Sequence, residues 1–417
     1  MADLDYSQRT VGIIGAGAAG MMAAIYAAQN GADVTLFEKN SYLGRKLGIT
    51  GKGRCNVTND CDNQEFLKNV IANPKFLYAS INNFSTSDTK SFFENLGVPL
   101  KTERGRRVFP VSDKAADIVN ALKNCIFDMG VKVVHEKVTA IITNGDTVTG
   151  LKTEYKDYSF DAVICATGGA SYPMTGSDGD GYRFAKSLGI GVTDIFPSLV
   201  PLETKENVTC LMGLSLKNVT LKVVDNKTGK VVFNELGEML FTHFGLTGPL
   251  VLSASSHMRE MSSGRYKAFI DFKPALDYAE LDKRVLSDFS KHVNKDFANS
   301  LGNLLPSKII PYMIERSGIS PAVKVNEITK EQRRIFVETL KGLSFEIKSF
   351  RPIKEAIVTA GGISVKEINP SDMRSRKYKG LYFAGEVIDV DAYTGGYNLQ
   401  IAFSTGALAG MHAAWGE

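Results

Sequence analysis

Three glycines near the start of the chain have the spacing of a dinucleotide-binding turn. Gly15, Gly17 and Gly20 form a Gly-x-Gly-x-x-Gly pattern. The first permits a tight turn, the second has no Cβ and lets a pyrophosphate approach the backbone, and the third lets a helix pack closely on a strand. A helix that begins here offers free N–H groups and a partial positive charge to phosphates. The predicted phosphate contacts are Gly15, Ala16, Gly17, Ala18 and Ala19.

The elements around this turn complete a βαβ unit. An apolar strand from Thr10 precedes the glycines, an alanine-rich helix follows them, and a second strand begins at Asp33 and ends at the acid Glu38. Glu38 lies 23 residues after Gly15, where a carboxylate accepts hydrogen bonds from the hydroxyl groups of an adenosine ribose. We therefore expect Glu38 and its neighbour Lys39 to contact the adenosine half of a dinucleotide.

A second glycine-rich stretch occupies residues 44–59. It contains four glycines, four cations and several small polar residues, a composition that predicts a loop. Backbone N–H groups and guanidinium groups of such a loop can surround an anion, so we expect it to lie along the dinucleotide; the alternative is a solvated basic loop. The predicted contacts are Arg45, Lys46, Thr50, Gly51, Gly53, Arg54, Cys55 and Asn56.

Strands in the next part of the chain could extend this site. Alternating residues predict strands at 131–138 and 147–155, and the first, ending near Val138, could place backbone groups beside an adenine ring. A buried-type strand from Phe160 ends in a turn of small residues that is typical of a second contact with the dinucleotide. A short helix is expected at 182–188. The predicted contacts are Val138, Ala166, Thr167 and Gly168.

The C-terminal strand and helix have features that suit a flavin. An FAD is longer than one βαβ unit can hold, so a second strand end must hold its ribityl chain, and the carboxylate of Glu386 or Asp389 is a suitable acceptor for the ribityl hydroxyls. A helix that begins near Asn398 would direct its positive end at the flavin and favour reduction. The predicted contacts are Gly385, Glu386, Asp389, Gly396, Tyr397, Asn398 and Leu399.

The composition limits the possible functions. The 417-residue chain has 44% hydrophobic and 23% charged residues, as a globular protein does. Its net charge of +4 is too small to indicate nucleic acid, so we expect a small-molecule substrate, with no nucleic-acid or membrane partner. No long apolar run predicts a membrane span, and the histidines lack metal-ligand spacing. The sequence leaves the oligomeric state open.

Five scattered cysteines without paired spacing favour reduced thiols and a cytoplasmic location. Cys55 and Cys61 could form a redox disulfide, but their separation differs from that of the flavin disulfide reductases. No His-Pro near the C-terminus could act as the thiol base. We expect Cys55 to be a packed thiol near the cofactor.

A basic run lies at Arg104, Arg106 and Arg107. These residues could meet the phosphate of a nicotinamide nucleotide or an acidic substrate, but a solvated charge run is the simpler interpretation. A non-enzymatic alternative is a flavoprotein that binds RNA or a partner through these residues and the cations between Arg45 and Arg54. The small net charge and the lack of interleaved exposed aromatic residues argue against that alternative.

The strand and helix patterns divide the chain into regions. Helices are expected over most of 64–130, with a break at 102–110. Short strands and turns dominate 196–272, including a hairpin with strands at 216–224 and 230–234 and a loop at 242–249. The pattern at 275–341 is helical. Because dinucleotide features return only after this stretch, the middle of the chain is expected to be an inserted substrate or cap domain.

Several motifs together resemble the BaiN/YhiN-like flavoprotein family, and the match spans the chain in order. They are Gly15–Gly20, Thr50-Gly51-Lys52-Gly53-Arg54-Cys55-Asn56, Ala166–Gly169, Gly385–Asp389 and Thr394-Gly395-Gly396-Tyr397-Asn398-Leu399-Gln400. The second and the last are specific. Lys52 stands where many relatives have glycine, a departure that we do not expect to disturb cofactor binding.

This resemblance implies an α/β fold with non-covalently bound FAD. It implies a glutathione-reductase-like Rossmann FAD domain in two segments, 1–193 and 350–417. It further implies an inserted β-rich, barrel-like domain at 194–274 and 342–349, with a small helical domain nested within it at 275–341. The resembling family includes bile-acid enone reductases, which act on 3-oxo-Δ4 and Δ6 steroid intermediates, and an aminoacetone oxidase, so family membership does not settle the substrate.

The leading hypothesis is an FAD-dependent reductase of a conjugated C=C bond in a 3-oxo steroid or bile-acid-like substrate. The flavin would receive hydride from NAD(P)H and pass it from N5 to the β-carbon of an enone. Only one dinucleotide fingerprint is present, so NAD(P)H would bind transiently over the flavin. The alternative is an amine oxidase that uses oxygen and needs no nicotinamide site. The candidate proton donors are Tyr172, Tyr393, Tyr397 and His243.

Overall fold

The computed structural model describes residues 8–416. Residues 1–7 and 417, the outer limits of the predicted FAD domain, lie outside the described residues. The strands are β1 (Thr10–Ile14), β2 (Asp33–Phe37), β3 (Thr58–Asn59), β4 (Leu100–Glu103), β5 (Arg107–Pro110), β6 (Lys132–Val134), β7 (Val138–Asn144), β8 (Thr147–Thr153), β9 (Asp157–Ser159), β10 (Ala162–Cys165), β11 (Phe196–Ser198), β12 (Leu202–Thr204), β13 (Ser215–Asp225), β14 (Val231–Phe241), β15 (Gly245–Thr247), β16 (Tyr266–Asp271), β17 (Leu343–Phe350), β18 (Val358–Ala360) and β19 (Leu381–Phe383).

The helices connect these strands and are concentrated in three parts of the chain. They are α1 (Ala18–Gln29), α2 (Arg45–Gly53), α3 (Asn63–Lys68), α4 (Tyr78–Asn83), α5 (Thr86–Asn95), α6 (Ala115–Asp128), α7 (Asp180–Ser187), α8 (Pro249–Ser255), α9 (Tyr278–Ser290), α10 (Ile310–Ser317), α11 (Lys330–Gly342) and α12 (Tyr397–Trp415). The chain folds into two compact units, one formed by residues up to Ser198 and from Ile353 onward, the other by Leu199–Pro352.

The first unit is built on a parallel sheet in the order β19-β10-β1-β2-β6. Strands β19, β10, β1 and β2 are short and almost wholly buried, as strands covered on both faces are, whereas the edge strand β6 is partly exposed. Ile14, the last residue of β1, pairs with Phe37 on one side and Cys165 on the other. The carboxyl ends of these strands therefore meet at one edge of the sheet, where open α/β sheets bind their ligands.

Helices α1 and α12 pack against each other without side chains between them. A Cβ on Gly406 would overlap the carbonyl oxygen of Ala19, and one on Gly410 would overlap that of Ala23. The contact moves from Ala19 to Ala23 along α1 as it moves from Gly406 to Gly410 along α12. The two helices therefore run parallel. Both N-termini consequently point toward the same edge of the sheet.

Three details of the predicted secondary structure are wrong. The strand predicted at 131–138 is two strands: β6 ends at Val134, and Val138 opens β7, which pairs with β8 in a separate antiparallel sheet. The alternation of apolar residues continues through both strands. It therefore does not show where the chain leaves the parallel sheet and joins the antiparallel one. The predicted loop at 44–59 contains helix α2. The predicted loop at 242–249 contains β15, which completes a barrel.

The second unit contains a closed antiparallel barrel in the order β12-β15-β14-β13-β16-β17. The long strands β13 and β14 form the predicted hairpin and alternate between buried and exposed residues, as barrel strands do. Helices α9, α10 and α11 share one hydrophobic cluster with the barrel, in which Phe336 of α11 and Phe345 of β17 are fully buried. The expectation of an α/β fold with a barrel-like insertion and helical parts is confirmed.

Candidate cofactor site

The glycine turn after β1 has the geometry that a pyrophosphate requires. Gly15 has φ +97°, and a Cβ there would lie 2.7 Å from the carbonyl oxygen of Ala166. A Cβ on Gly20 would overlap the carbonyl oxygen of Gly15, whereas one on Gly17 would meet nothing within 4 Å. Gly17 precedes α1 without a side-chain cap. Open space therefore lies at the uncapped, positive end of α1, where a phosphate group fits.

Glu38 lies directly after β2 and is almost completely buried. Its Oε2 accepts a hydrogen bond from the backbone N–H of Ala16 at 3.0 Å, and its Oε1 accepts bonds from the backbone and the side chain of Asn40 at 2.8 and 2.7 Å. The carboxylate thus joins the glycine turn to the end of the second strand. A ribose hydroxyl would have to share these two oxygens.

The cations next to Glu38 contact protein groups. Lys39 Nζ lies 2.8 Å from a carboxylate oxygen of Asp178 and 2.6 Å from one of Asp180, and Arg45 donates to the side-chain oxygen of Asn40 at 2.8 Å. These ion pairs connect the segment that follows β2 to the loop before α7 and to the first residue of α7. Cofactor contacts of Lys39 and Arg45 stay predictions.

A polar cluster joins four separate segments at the sheet edge. Lys46 Nζ lies 2.6 Å from Oε2 of Glu386 and donates to Ser171 Oγ at 2.6 Å. Oε1 of Glu386 accepts from Ser171 Oγ at 3.1 Å and from the backbone N–H of Thr359 at 2.8 Å. Burial opposes ionisation of Glu386, but the charge of Lys46 and these hydrogen bonds outweigh it and hold its pKa below the usual range. The carboxylate is therefore ionised at neutral pH.

Helix α2 ends in a run of left-handed backbone. Gly51, Lys52 and Gly53 have φ values of +56°, +59° and +81°, and Cys55 has +59°. Glycine adopts this conformation freely, whereas Lys52 adopts it although it carries a side chain. Cys55 is fully buried, and burial raises its pKa to about 12. Cys55 and Cys61 are free thiols, so the structure contains a packed thiol here and not a disulfide.

Two polar side chains of this segment behave differently. Arg54 stacks 4.1 Å from the centre of the Phe109 ring and pairs with Glu103 and Asp113, so its guanidinium group is engaged within the protein. Asn56 Oδ1, in contrast, is buried and has no hydrogen-bond partner within residues 8–416. An unpartnered buried oxygen beside the glycine turns is free to accept a hydrogen bond from a bound ligand.

The turn before α12 is also shaped by glycine. Gly395 and Gly396 have φ values of +124° and +100°, and a Cβ on Gly396 would overlap the backbone of Thr58. Gly396 precedes the helix without a side-chain cap. Asn398 holds the approach to the helix, because it accepts from the backbone N–H of Ala392 at 3.0 Å and donates to the carbonyl of the same residue at 2.8 Å. The positive end of a 19-residue helix is thus available to a ligand.

The other predicted contacts lie at the same edge or close to it. Gly168 has φ +73° and its Cβ position would be 2.8 Å from Ser177 Oγ. Gly385 also has a positive φ of +76°. The carbonyl of Asp389 accepts from Asn73 at 2.7 Å. Ala166 is buried, whereas Thr167 and Leu399 are half-buried.

The four candidate proton donors belong to different elements of the chain. Tyr393 and Tyr397 flank the glycine turn before α12. Tyr397 is buried against Phe66, and burial, followed by nearby Cys61 and Glu65, raises its pKa to about 12. Tyr172 is half-buried in the loop after β10 with φ +51°. His243 belongs to the second unit and is exposed, and its ring lies 5.0 Å from that of Phe244.

Sequence reasoning missed several residues that hold the site together. Ser171 and Thr359 complete the polar cluster. Each occurs in a run of small residues, and this sequence feature could have pointed to them. Gln400 is fully buried; its Oε1 accepts from Thr58 and Thr89 at 2.6 and 2.8 Å, and its amide donates to Ser404 at 3.0 Å. Asn59 donates to the carbonyls of Gly105 and Gly395. These residues fix the loops that the glycines shape.

The fold and the site define the class of protein. A parallel Rossmann sheet with an uncapped glycine turn, a buried acid after the second strand and a second uncapped helix at the same edge is the FAD-type oxidoreductase fold. The open space at Gly17 and the unpartnered oxygen of Asn56 fit such a cofactor. The chain belongs to the family described as HI0933-like protein Rossmann domain, which matches residues 9–412, and the predicted resemblance is confirmed.

The relatives that match almost the whole chain include a reductase and a synthase. The 3-dehydro-bile acid delta(4,6)-reductase of Clostridium scindens is 31% identical over 97% of this chain and 98% of the relative. The ribosomal RNA dihydrouridine synthase of Haemophilus influenzae is 32% identical over 94% of this chain and 95% of the relative. Among solved structures, the 3-ketosteroid delta1-dehydrogenase of Sterolibacterium denitrificans is similar in fold, with a TM-score of 0.54, 14% identity, and coverage of 98% of this chain and 100% of that one.

Two negative findings apply to the described part of the chain. Between residues 8 and 416, no helix combines the length and the apolar character needed to cross a bilayer. The same residues contain no group of three or more histidine, cysteine, aspartate or glutamate side chains arranged to hold a metal ion.

Proposed function

We propose that the protein is an FAD-dependent reductase of a C=C bond conjugated to a carbonyl group. The observation that carries the proposal is the pair of uncapped helix ends, at Gly17 and Gly396, on one edge of the parallel sheet. One suits the phosphates of FAD and the other suits a reduced, electron-rich flavin. A 3-oxo-Δ4 steroid or a related bile acid is the first substrate class.

The names of these relatives support this reaction type. One is a reductase of a dehydro-bile acid, and the other forms dihydrouridine. Uridine has its C5=C6 bond conjugated to a carbonyl, as an enone steroid has its C4=C5 bond. Reduction of a polarised C=C bond is therefore common chemistry for both substrates, although the molecules differ in size and charge.

The chain's own residues have separable tasks in this reaction. Bound FAD would supply the hydride. The N-terminus of α1 would hold the pyrophosphate of FAD, and the N-terminus of α12 would place a partial positive charge beside the flavin. The pair of Lys46 and Glu386 joins the start of α2 to the turn after β19, and Ser171 adds the loop after β10. Tyr397, whose pKa is about 12, would keep its proton throughout the neutral range, and we propose it as the donor to the substrate α-carbon.

NAD(P)H is the proposed source of electrons. We assign the one glycine fingerprint of the first unit to FAD, so a nicotinamide would bind transiently at the flavin. The amine-oxidase alternative needs no such step, because oxygen would accept the electrons. The two alternatives therefore differ in which molecule reduces the flavin.

A second candidate substrate is a uridine in RNA. The specific observation in its favour is the exposure of Arg104, Arg106 and Arg107 in the same unit as the cofactor site. An RNA substrate brings a phosphate chain to the protein, and exposed guanidinium groups are suited to hold it.

Anaerobic stopped-flow absorbance at the flavin band tests the proposal. We expect NADH or NADPH to bleach the flavin, and a 3-oxo-Δ4 steroid or a uridine-containing RNA to reoxidise it faster than oxygen does. Mass spectrometry would then show a gain of two hydrogens in the substrate. Reduction by a primary amine with rapid reoxidation by oxygen, and no bleaching by either nicotinamide, would contradict the reductase and favour the oxidase.

A further inference from the structure

Three arginines occupy the tight turn between β4 and β5. We call Arg104, Gly105, Arg106 and Arg107 the arginine turn. Glu103 pairs with Arg107 across it, and Gly105 and Arg106 have φ values of +77° and +57°. All three arginine side chains are exposed. The hairpin therefore holds three guanidinium groups together at one point of the surface.

The arginine turn forms few contacts of its own: Arg107 Nε donates to the carbonyl oxygen of Arg104 at 3.0 Å, and the charge of Arg106 acts on Asp60 without forming an ion pair. The surrounding carboxylates are already paired with other cations, and each has a pKa held below its usual range by its partners. None of the three arginines forms an ion pair with a carboxylate in the part of the chain that the structure describes. The pairs are Asp60 with Lys90, Glu103 with Arg54, and Asp113 with both Arg54 and Lys101.

The arginine turn adjoins the cofactor site. Asn59 of β3 donates to the carbonyl of Gly105 at 3.1 Å and to the carbonyl of Gly395 at 3.0 Å. One side-chain amide thus connects the arginine turn to the glycine turn from which α12 begins. Strand β3 pairs with β5 on one side and contacts Gly396 on the other, so a single strand separates β5, which begins at Arg107 of the arginine turn, from the start of α12.

We propose that the arginine turn binds phosphate groups of an RNA strand whose target base enters the cofactor site. This inference rests on the proposed function with uridine as the substrate. Guanidinium groups bind phosphate oxygens in pairs of parallel hydrogen bonds. Three of them on one turn match a chain of phosphates, whereas a bile acid offers a single carboxylate.

This proposal departs from the expectation based on net charge. The whole chain has a net charge of +4, which gave no indication of nucleic acid. Phosphate recognition depends on the local field at the contact surface, and here the nearby acids are paired while Arg104, Arg106 and Arg107 are not. A small net charge is therefore compatible with a basic contact surface beside the site.

Fluorescence anisotropy of the flavin-loaded protein with a labelled, uridine-containing single-stranded RNA tests the proposal. The test variant is R104Q/R106Q/R107Q. The matched control is K217Q/K227Q/K230Q, which removes three exposed cations from the β13–β14 hairpin of the second unit. The flavin absorbance spectrum and the unfolding midpoint of each variant report that the fold is intact.

Salt dependence gives the quantitative expectation. Binding to single-stranded nucleic acid weakens with log[salt] by about 0.7 for each phosphate contact. We expect the slope of log K against log[salt] to become shallower by about 2 in the arginine variant, with RNA affinity lower by at least about tenfold at low salt. The lysine control should keep the wild-type slope and affinity.

Other results would overturn the assignment and remain distinguishable from failure of the proposed function. Absence of RNA binding by the wild-type protein, or equal RNA binding by the wild type and the arginine variant, would overturn it even if enone reduction proceeds. An increase in KM for a carboxylated bile acid, with RNA binding unchanged, would assign the turn to a substrate carboxylate. Flavin reduction by NAD(P)H is measured separately and does not depend on Arg104, Arg106 or Arg107.

Discussion

Two basic regions of the first unit look similar in sequence and differ in structure. The inner edge, which we define as Glu38, Lys39, Lys46 and Arg54 with their partners, has every cation engaged by a carboxylate or a hydroxyl. In the arginine turn, three cations of the same kind extend into solvent without ion pairs in the described residues. The inner cations therefore hold the protein together, whereas the outer ones are available to a partner.

The difference shows that the density of charged residues in a sequence does not predict whether a charge forms an ion pair within the protein or stays exposed to a partner. Lys46 is 340 residues from Glu386 along the chain, and only the fold brings them together. Arg104 and Arg107, in contrast, are placed by a local hairpin whose geometry keeps them exposed. Substitutions at the inner edge should change stability, and substitutions in the arginine turn should change binding alone.

The largest effect is expected for Gly20→Ala beside the inner edge. The added Cβ would overlap the carbonyl oxygen of Gly15, and the helix would have to move away from the strand. We expect a loss of about 3 kcal/mol or more in the free energy of unfolding, measured by urea denaturation, with little flavin in the purified protein.

Gly17→Ala is the matched control for this substitution. Its Cβ would meet no protein atom within 4 Å, so folding should be preserved. FAD affinity, measured by titration of the apoprotein, should fall by about tenfold because the methyl group occupies space needed by the pyrophosphate. Equal stability losses in the two variants would contradict the distinction between packing space and ligand space.

A smaller effect is expected for Lys46→Met. The substitution leaves the Glu386 carboxylate without its cation, but both side chains are about one-fifth exposed, so the loss is less than for a fully buried pair. We expect a decrease of ~2 kcal/mol in the free energy of unfolding. The double variant K46M/E386Q should recover part of it, because no unpaired charge remains. A K46M variant as stable as the wild type would show that the pair does not hold the inner edge.

The effect of Lys46→Met should depend on pH. The pKa of Glu386 in the folded protein is below its ordinary value, so its contribution to stability is complete above the ordinary glutamate pKa of about 4.3 and is lost as the pH falls through the lower folded value. The stability gap between wild type and variant should be constant from pH 7 to about 5 and close at more acidic pH. A gap that widens on acidification would contradict this assignment.

The smallest effect on stability is expected for R104Q/R106Q/R107Q. These side chains are exposed and form no ion pairs with carboxylates in the described residues, so the free energy of unfolding should change by less than about 0.5 kcal/mol. Thermal unfolding followed by circular dichroism would measure it. A larger loss would show that the arginine turn supports the fold and would weaken the contrast with the inner edge.

Local features could be predicted from the sequence, and long-range ones could not. The βαβ unit was predicted because Gly15, Gly17, Gly20 and Glu38 act within one short segment whose turn and helix are determined by neighbouring residues. The partners of Arg54 could not be predicted, since Glu103 ends β4 and Asp113 follows β5, about 50 residues or more further along the chain. The apolar alternation before Val138 predicted strand structure but carried no information on which sheet each part would join.

The direct contact between helices α1 and α12 determines how far the N-terminus of α12 extends beyond that of α1. Gly406 meets Ala19 near the start of α1, and α12 begins at Tyr397, nine residues earlier. At 1.5 Å per residue, the tip of α12 projects about 13 Å beyond this crossing point. Because the two backbones touch at this point, the separation between the N-termini of α1 and α12 is fixed. We expect this fixed separation to select for the length of a ligand that contacts both N-termini.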